Sequence, residues 1–275
     1  MSKKTLIIEQ AGILFSQQSI QGTSIEDITK ACGISKGAFY LHFKSKDDLL
    51  THLFDYYFKE IVNRFSDLEV SNLPPRQKLQ HYFALSFTIL EEKMPFISMY
   101  TQQQWSLNTS IIEQFDYYNK LVEQTTTTIL LQVYGDIILP FLTDLLVTLK
   151  GLVNGYVHHI LCHRQPYDFA RLAHVLSARL DLIVLHTTEW YIDEQQKELT
   201  INTIITPDLI SKEIKQVLTH EQFDNFYNES LQLLLQQCEQ SKPNEVIVKG
   251  MLANIQHNEK LNWIAFLVRN GTWHN

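Results

Sequence analysis

The chain has 275 residues, 45% of them hydrophobic and 19% charged, with only 9 glycines and 7 prolines. That excludes a disordered or collagen-like chain and is more than one small domain needs, so two domains are expected, with few places to break helices. The net charge of −7 is uneven: residues 1–46 carry six lysines against Glu9, Glu26 and Asp27, which leaves −10 on the remainder.

The first predicted element is a short amphipathic helix after Lys3 and Lys4, interrupted by Glu9 and Gln10 and therefore unlike a signal peptide. A second helix is expected from a capping box of Thr23 with Glu26. Ile25, Ile28, Ala31 and Cys32 supply its narrow apolar stripe, and Gly33 stops it as a left-handed C-terminal cap. Ser35 caps a third helix whose first turn is Lys36, Gly37 and Ala38. Small residues there admit a close partner, and Lys36 can reach a base edge or a phosphate. Phe39 and Phe43, four apart, are expected to pack inward, leaving Tyr40 on another face. Ser45 with Asp48 caps a long fourth helix running towards Asp67, with Lys46 in its first turn. Two short helices around a glycine turn are the layout of a helix-turn-helix reader of the DNA major groove.

Residues 3–62 resemble the DNA-binding domain of the tetracycline-repressor (TetR) family of bacterial regulators. The resemblance is carried by Ala11 and Phe15, by Thr23 to Ile28, by Gly33 to Tyr40, and by His42 to Lys46, with Leu41 where an aromatic residue is often seen. It implies that Lys36, Gly37, Ala38 and Tyr40 face an operator, while Thr23, Ser24, His42 and Lys46 hold phosphates. Ser35 and Lys44 complete the expected DNA-binding set.

Beyond residue 50 the helical pattern continues. Pro74 and Pro75 mark a helix ending near Lys93, Pro95 starts a shorter one through Trp105, and another runs from about Asn108 to Tyr134, stopped by Gly135. The threonines at 125–128 are mediocre helix formers with no functional reading. Helices near 139–163 and 168–188 are apolar on more than one face, which predicts burial on two sides. One side is expected to be the chain's own core and the other a second copy; in the resembled family the matching helices form a four-helix dimer interface. Pro207 opens a further segment to about Gln240, and Pro243 precedes a last apolar piece.

The fold class expected is therefore all-α: an N-terminal three-helix DNA-binding domain (1–62), a helical ligand-sensing and dimerisation domain (63–200), and an additional helical extension (201–275). Phe83, Phe87, Tyr100, Trp105 and Tyr118 are the expected lining of an effector cavity, weighed against ordinary aromatic core. His158 with Cys162 and His159 with His163 form i,i+4 pairs, but they point in different directions, so no metal site is assigned. No nucleophile, base and orienting group share a telling spacing, so neither an enzyme nor a cofactor is expected. Cys32, Cys162 and Cys238 are read as free thiols in a reducing cytoplasm, and no window is expected to reach the length and hydropathy of a membrane span.

The leading expectation is a homodimeric transcriptional regulator, a repressor on a palindromic duplex operator, released by a small apolar or amphipathic effector. The alternative is a DNA-binding regulator controlled by a protein docking on the 201–275 extension.

Overall fold

The computed structural model describes residues 2–93, 109–163, 165–192 and 205–273. Every regular element among these residues is a helix. The chain divides into two compact units, Ile7–Ile201 and a second made of Met1–Leu6 with Asn202–Asn275.

The larger unit takes α1 (Lys3–Gly22) from Ile7 onward, then α2 (Ile25–Cys32), α3 (Lys36–Tyr40) and the long α4 (Lys46–Val70). Ser19 interrupts α1 at φ 68, ψ 163, backbone that a side chain occupies only at a cost of about 1–3 kcal/mol. Its own groups offset this. The hydroxyl accepts from Gly22 N–H at 3.2 Å, and the carbonyl accepts from the Thr23 hydroxyl at 2.8 Å.

Then come α5 (Pro75–Glu92), α6 (Thr109–Tyr134), a 3-10 turn (Gly135–Phe141), α7 (Leu142–Cys162) and α8 (Phe169–His186). Gly135 takes φ 68, the left-handed conformation that ends α6 where the glycine was expected to stop it. α4 packs mainly on α6, and α5 on α8 and α6. Their shared core includes Phe65, Leu79, Phe83, Phe87, Leu149 and Leu180. The first half of the threonine run is interior: Thr125 and Thr126 are buried, and the Thr126 hydroxyl bonds back to the Val122 carbonyl at 2.7 Å. At one end, Arg76 and the Tyr134 hydroxyl both donate to Asp181, tying α5, α6 and α8 together.

The Ile111–Cys162 stretch holds a window of mean hydropathy 1.6, long and apolar enough to cross a membrane by length and composition, contrary to the sequence expectation. Only 28% of that window is buried. In α7 the apolar residues surround the helix and are interrupted by Lys150, Asn154 and two glycines, so no unbroken run announces them.

The smaller unit contains α9 (Pro207–His220), α10 (Asn225–Cys238), α11 (Glu245–Ile255), a 3-10 turn (Glu259–Leu261) and α12 (Asn262–Asn270). The segment from Pro207 to about Gln240 holds two helices, because Asp224 caps a new start by accepting the Tyr227 amide at 3.1 Å. α12 is the centre: Ile264 through Val268 are five successive residues at 2% exposure or less. Around it, Trp263 donates its indole N–H to Glu213 at 2.9 Å, and Thr272 N–H bonds the Ile205 carbonyl at 2.9 Å. This extension has its own caps and its own core.

Burial, with Glu239 and Asp208 nearby, pushes the Cys238 thiol up to about 11, whereas Cys162 is exposed. Thiol labelling of the native chain at pH 8, read by mass spectrometry, is expected to modify Cys162 first. Cys238 should react roughly a hundredfold more slowly than a free thiol until denaturant is added.

Candidate nucleic-acid interface

The turn between α2 and α3 is built from three local devices. Gly33 adopts φ 64, and the amides of Gly33 and Ile34 return to the Lys30 and Thr29 carbonyls. Ser35 then caps α3 by accepting the Ala38 amide at 3.2 Å. Phe39 and Phe43 are 0% and 1% exposed with ring centroids 5.6 Å apart, fixing one side of the short helix to the core of the head. The opposite side carries Lys36, Gly37, Tyr40 and Leu41, all exposed, with Ala38 half-buried beside them. Tyr40 is 50% exposed and stands edge-on to Phe39, so its hydroxyl is presented outward from a supported ring.

The capping box is one residue later than the sequence reading placed it. Ser24, not Thr23, is the cap: it accepts the Asp27 amide at 3.2 Å, and the Asp27 carboxylate accepts the Ser24 amide at 2.9 Å. Both residues of the pair satisfy the same spacing rule, and the fold chose by burial. Thr23 is 1% exposed with its hydroxyl given to the Ser19 carbonyl, which corrects its expected role as a phosphate holder. Hydrogen bonds from Ser24 hold the Asp27 carboxyl below its ordinary range. A lowered carboxyl contributes above its unfolded pKa, so this cap weakens only as the pH falls through the acidic range. Ala31 is likewise exposed rather than part of the apolar stripe, and Thr29 is buried in its stead.

Lys46 is committed to the frame of the head. Its ammonium donates to the Ile20 carbonyl at 2.9 Å and the Thr23 carbonyl at 3.1 Å, bracing the end of α1 and the start of α2 against α4. An ammonium has three N–H bonds, so one is left to face outward. Lys44 and Ser24 are exposed, while His42 is half-buried against Phe43. Leu41, 84% exposed, shares the outer side of α3 and was not in the expected set. Its spacing of four from Gly37 was the available signal.

The long helix α4 joins this surface to the rest of the larger unit. Tyr56 donates to Glu9 on α1 at 3.1 Å, Tyr118 on α6 donates to Asp55, and Glu60 pairs with Lys93 at 2.8 Å. Arg64 reaches Glu92 at the end of α5.

The expected effector residues do not converge on a described cavity. Phe83 and Phe87 are fully buried core, with Phe87 stacked on Phe169 at 5.8 Å, because α5 is wedged between α6 and α8. Tyr118 is 5% exposed. Tyr100 and Trp105 lie outside the described residues, as does the helix expected from Pro95 to Trp105. An open groove of about 400 Å³ runs between α4 and α5 instead, lined by Arg64, Leu68, His81, Ala84 and Leu85 among others. Nearby elements hold two buried amide oxygens, Asn63 Oδ1 and Gln114 Oε1, with no hydrogen-bond partner among the described residues.

On α7, the exposed positions Val147, Gly151, Asn154, Gly155, His158 and Cys162 recur at helical spacing as one stripe. A side chain built on Gly151 or Gly155 would meet nothing within 4 Å. Leu182 and Leu185 on α8 are 60% and 67% exposed. His158 Nε2 lies 3.7 Å from Cys162 Sγ and His159 stacks on His163, two separate pairs as their spacing dictates.

A small helix anchored by buried aromatics, with a lysine, a glycine and a tyrosine facing out behind a left-handed glycine turn, defines a helix-turn-helix DNA reader. Residues 7–53 match the family described as bacterial regulatory proteins, tetR family. The chain is 27% identical over 269 residues to the HTH-type transcriptional regulator YerO of Bacillus subtilis, across 92% of this chain and 89% of that one. It is also 27% identical to YuxN of the same organism, across 94% of each. Its fold is similar to that of FadR from Bacillus subtilis, solved with stearoyl-CoA, at a TM-score of 0.53 and 20% identity, covering 66% of this chain and 98% of that one. Residues 7–53 are thus similar to the DNA-binding domain of TetR-family transcriptional regulators.

Gly37 tests the reading surface without threatening the fold. It sits in ordinary helical backbone, and an added Cβ would meet only Ser35 Oγ at 3.8 Å. Gly37→Ala is therefore expected to raise head stability by about 0.5–1 kcal/mol in thermal denaturation. In fluorescence anisotropy it should weaken duplex binding by about tenfold, the cost of disturbing one good base contact.

Proposed function

We propose that the chain is a homodimeric repressor that binds a palindromic operator and leaves it when a small amphipathic effector binds. The observation that carries the DNA half is the exposed set of Lys36, Gly37 and Tyr40, with Ala38 half-buried beside them, on a helix whose back is locked by Phe39 and Phe43. Ser35 shapes that helix; Ser24, His42, Lys44 and the remaining N–H of Lys46 supply phosphate contacts around it. The local excess of lysine draws phosphate within a Debye length of about 8 Å, whatever the net charge elsewhere.

Dimerisation is supported by the small-residue stripe on α7, where Val147, Gly151 and Gly155 leave room for a close neighbour, and by Leu182 and Leu185 on α8, which a second copy would remove from water. It also gives a use to the apolar window within Ile111–Cys162 other than a bilayer. Two heads then read two half-sites, and affinity gains from their linkage.

The effector half rests on α4. It carries the head at one end and is clasped by Asp55, Glu60 and Arg64 along its length. A ligand that favours a different seating of α4 on α5 and α6 would shift the spacing of the two heads. Asn63 and Gln114 offer buried acceptors that a ligand donor would satisfy. FadR, solved with stearoyl-CoA, makes a long-chain acyl thioester the first amphipathic effector to try. In this reading residues 1–62 are the head, 63–200 the sensor and dimer body, and 201–275 an accessory unit, all acting in the cytoplasm.

Leu182→Glu combined with Leu185→Glu is expected to give monomers in sedimentation velocity and to lower operator affinity about a hundredfold. Titrating stearoyl-CoA or free fatty acid into the bound complex should release labelled operator; a complex unmoved by any amphipathic ligand, but dissociated by a protein bound to residues 201–275, would overturn the small-molecule reading.

A further inference from the structure

Two rows run along the outer side of α3. Lys36 and Tyr40 form one, and Gly37 and Leu41, also four apart, form the other; both lie away from the buried Phe39 and Phe43. Leu41 is the apolar end of the second row, 84% exposed, at the C-terminal cap of the helix. A single exposed leucine on a protein surface needs no explanation. This one has a register that gives it a use. Gly37 beside it meets no protein atom that demands a glycine, and its φ is ordinary, so its missing side chain clears space for something outside the fold.

Resting on the DNA-binding reading above, we propose that Leu41 selects a thymine in each operator half-site by packing on the C5-methyl group, with Gly37 allowing the helix to approach closely enough. The thymine methyl is the apolar group that standard base pairs present in the major groove, where leucine finds no hydrogen-bonding match. Lys36 and Tyr40 on the adjacent row would meanwhile engage polar edges and phosphate, which carry no information about that methyl. The row would therefore divide its work: one side for charge and hydrogen bonds, the other for an apolar read of a single base.

The test uses the full chain and duplexes selected from a randomised pool. Each thymine of the selected half-site is replaced in turn by uracil, which removes only the methyl, and binding is measured by anisotropy. At one symmetric position uracil is expected to weaken binding about fourfold per half-site, the worth of one buried methyl, and about fifteenfold when both are changed. Leu41→Ala should bind the thymine and uracil duplexes alike at that position while keeping its responses elsewhere, and Leu41→Met should restore part of the preference. Circular dichroism checks that the variants fold, as exposure of the side chain leads one to expect. A half-site without a methyl-sensitive thymine overturns the inference, as does sensitivity that survives in Leu41→Ala, or a Leu41→Ala loss shared equally by both duplexes. If no duplex is enriched and none binds at low salt, the DNA-binding reading itself fails, an outcome distinct from selective loss of the methyl effect.

Discussion

A five-residue helix has no stability of its own in water, since nucleation fixes several residues for very few hydrogen bonds. The reading surface of this chain exists because Phe39 and Phe43 are sunk in the head, Gly33 turns the chain through the left-handed region, and Ser35 supplies the missing acceptor at the helix start. These interactions hold α3 from behind and from its entry. Its outer side is left free of any packing duty, which is why lysine, glycine, tyrosine and leucine can be arranged there for a partner. The remaining parts of the head serve the same anchorage. Lys46 gives two of its three N–H bonds to carbonyls of α1 and the α1–α2 junction, so the rest of the head is tied to the start of α4.

That coupling passes along α4. A helix of 25 residues is stiff over its length, and polar clasps reach it from α1, α5 and α6 rather than from one neighbour alone. Exposed ion pairs contribute little to stability individually. Their placement matters more than their strength: Glu60–Lys93 and Arg64–Glu92 both gather at the C-terminal end of α5. The end of α5 is thus tied directly to the helix that carries the head. An effector can use this only through different affinities for two seatings of that end.

The extension is a second small structure with its own logic. α12 is buried on all sides at Ile264–Val268, and the caps Thr206, Asp224, Asn244 and Asn258 set the starts of the surrounding elements. About a third of this chain has no counterpart in FadR, whereas YerO and YuxN align with more than nine-tenths of it. With its own caps and buried centre, the unit is a packed structure rather than an irregular tail.

Local chemistry was readable without coordinates where a single residue decides a backbone state. Gly33 and Gly135 end helices by taking positive φ, Ser35 and Ser45 cap, and a spacing of four sends Phe39 and Phe43 inward together. The helical class of the described chain followed from the same periodicity. Choices between neighbours with equal local credentials were made by tertiary burial. Thr23 and Ser24 both suit a cap, and only packing against α1 shows that Thr23 is interior. Phe83 and Phe87 suit a cavity wall as well as a core, and α6 and α8 closing on α5 made them core. Lys46 suits a phosphate, yet two carbonyls 26 and 23 residues earlier in the chain claim most of its donors. A sequence fixes what each side chain is able to do; which of those abilities is exercised depends on atoms brought near from distant positions, and that proximity exists only in the folded chain.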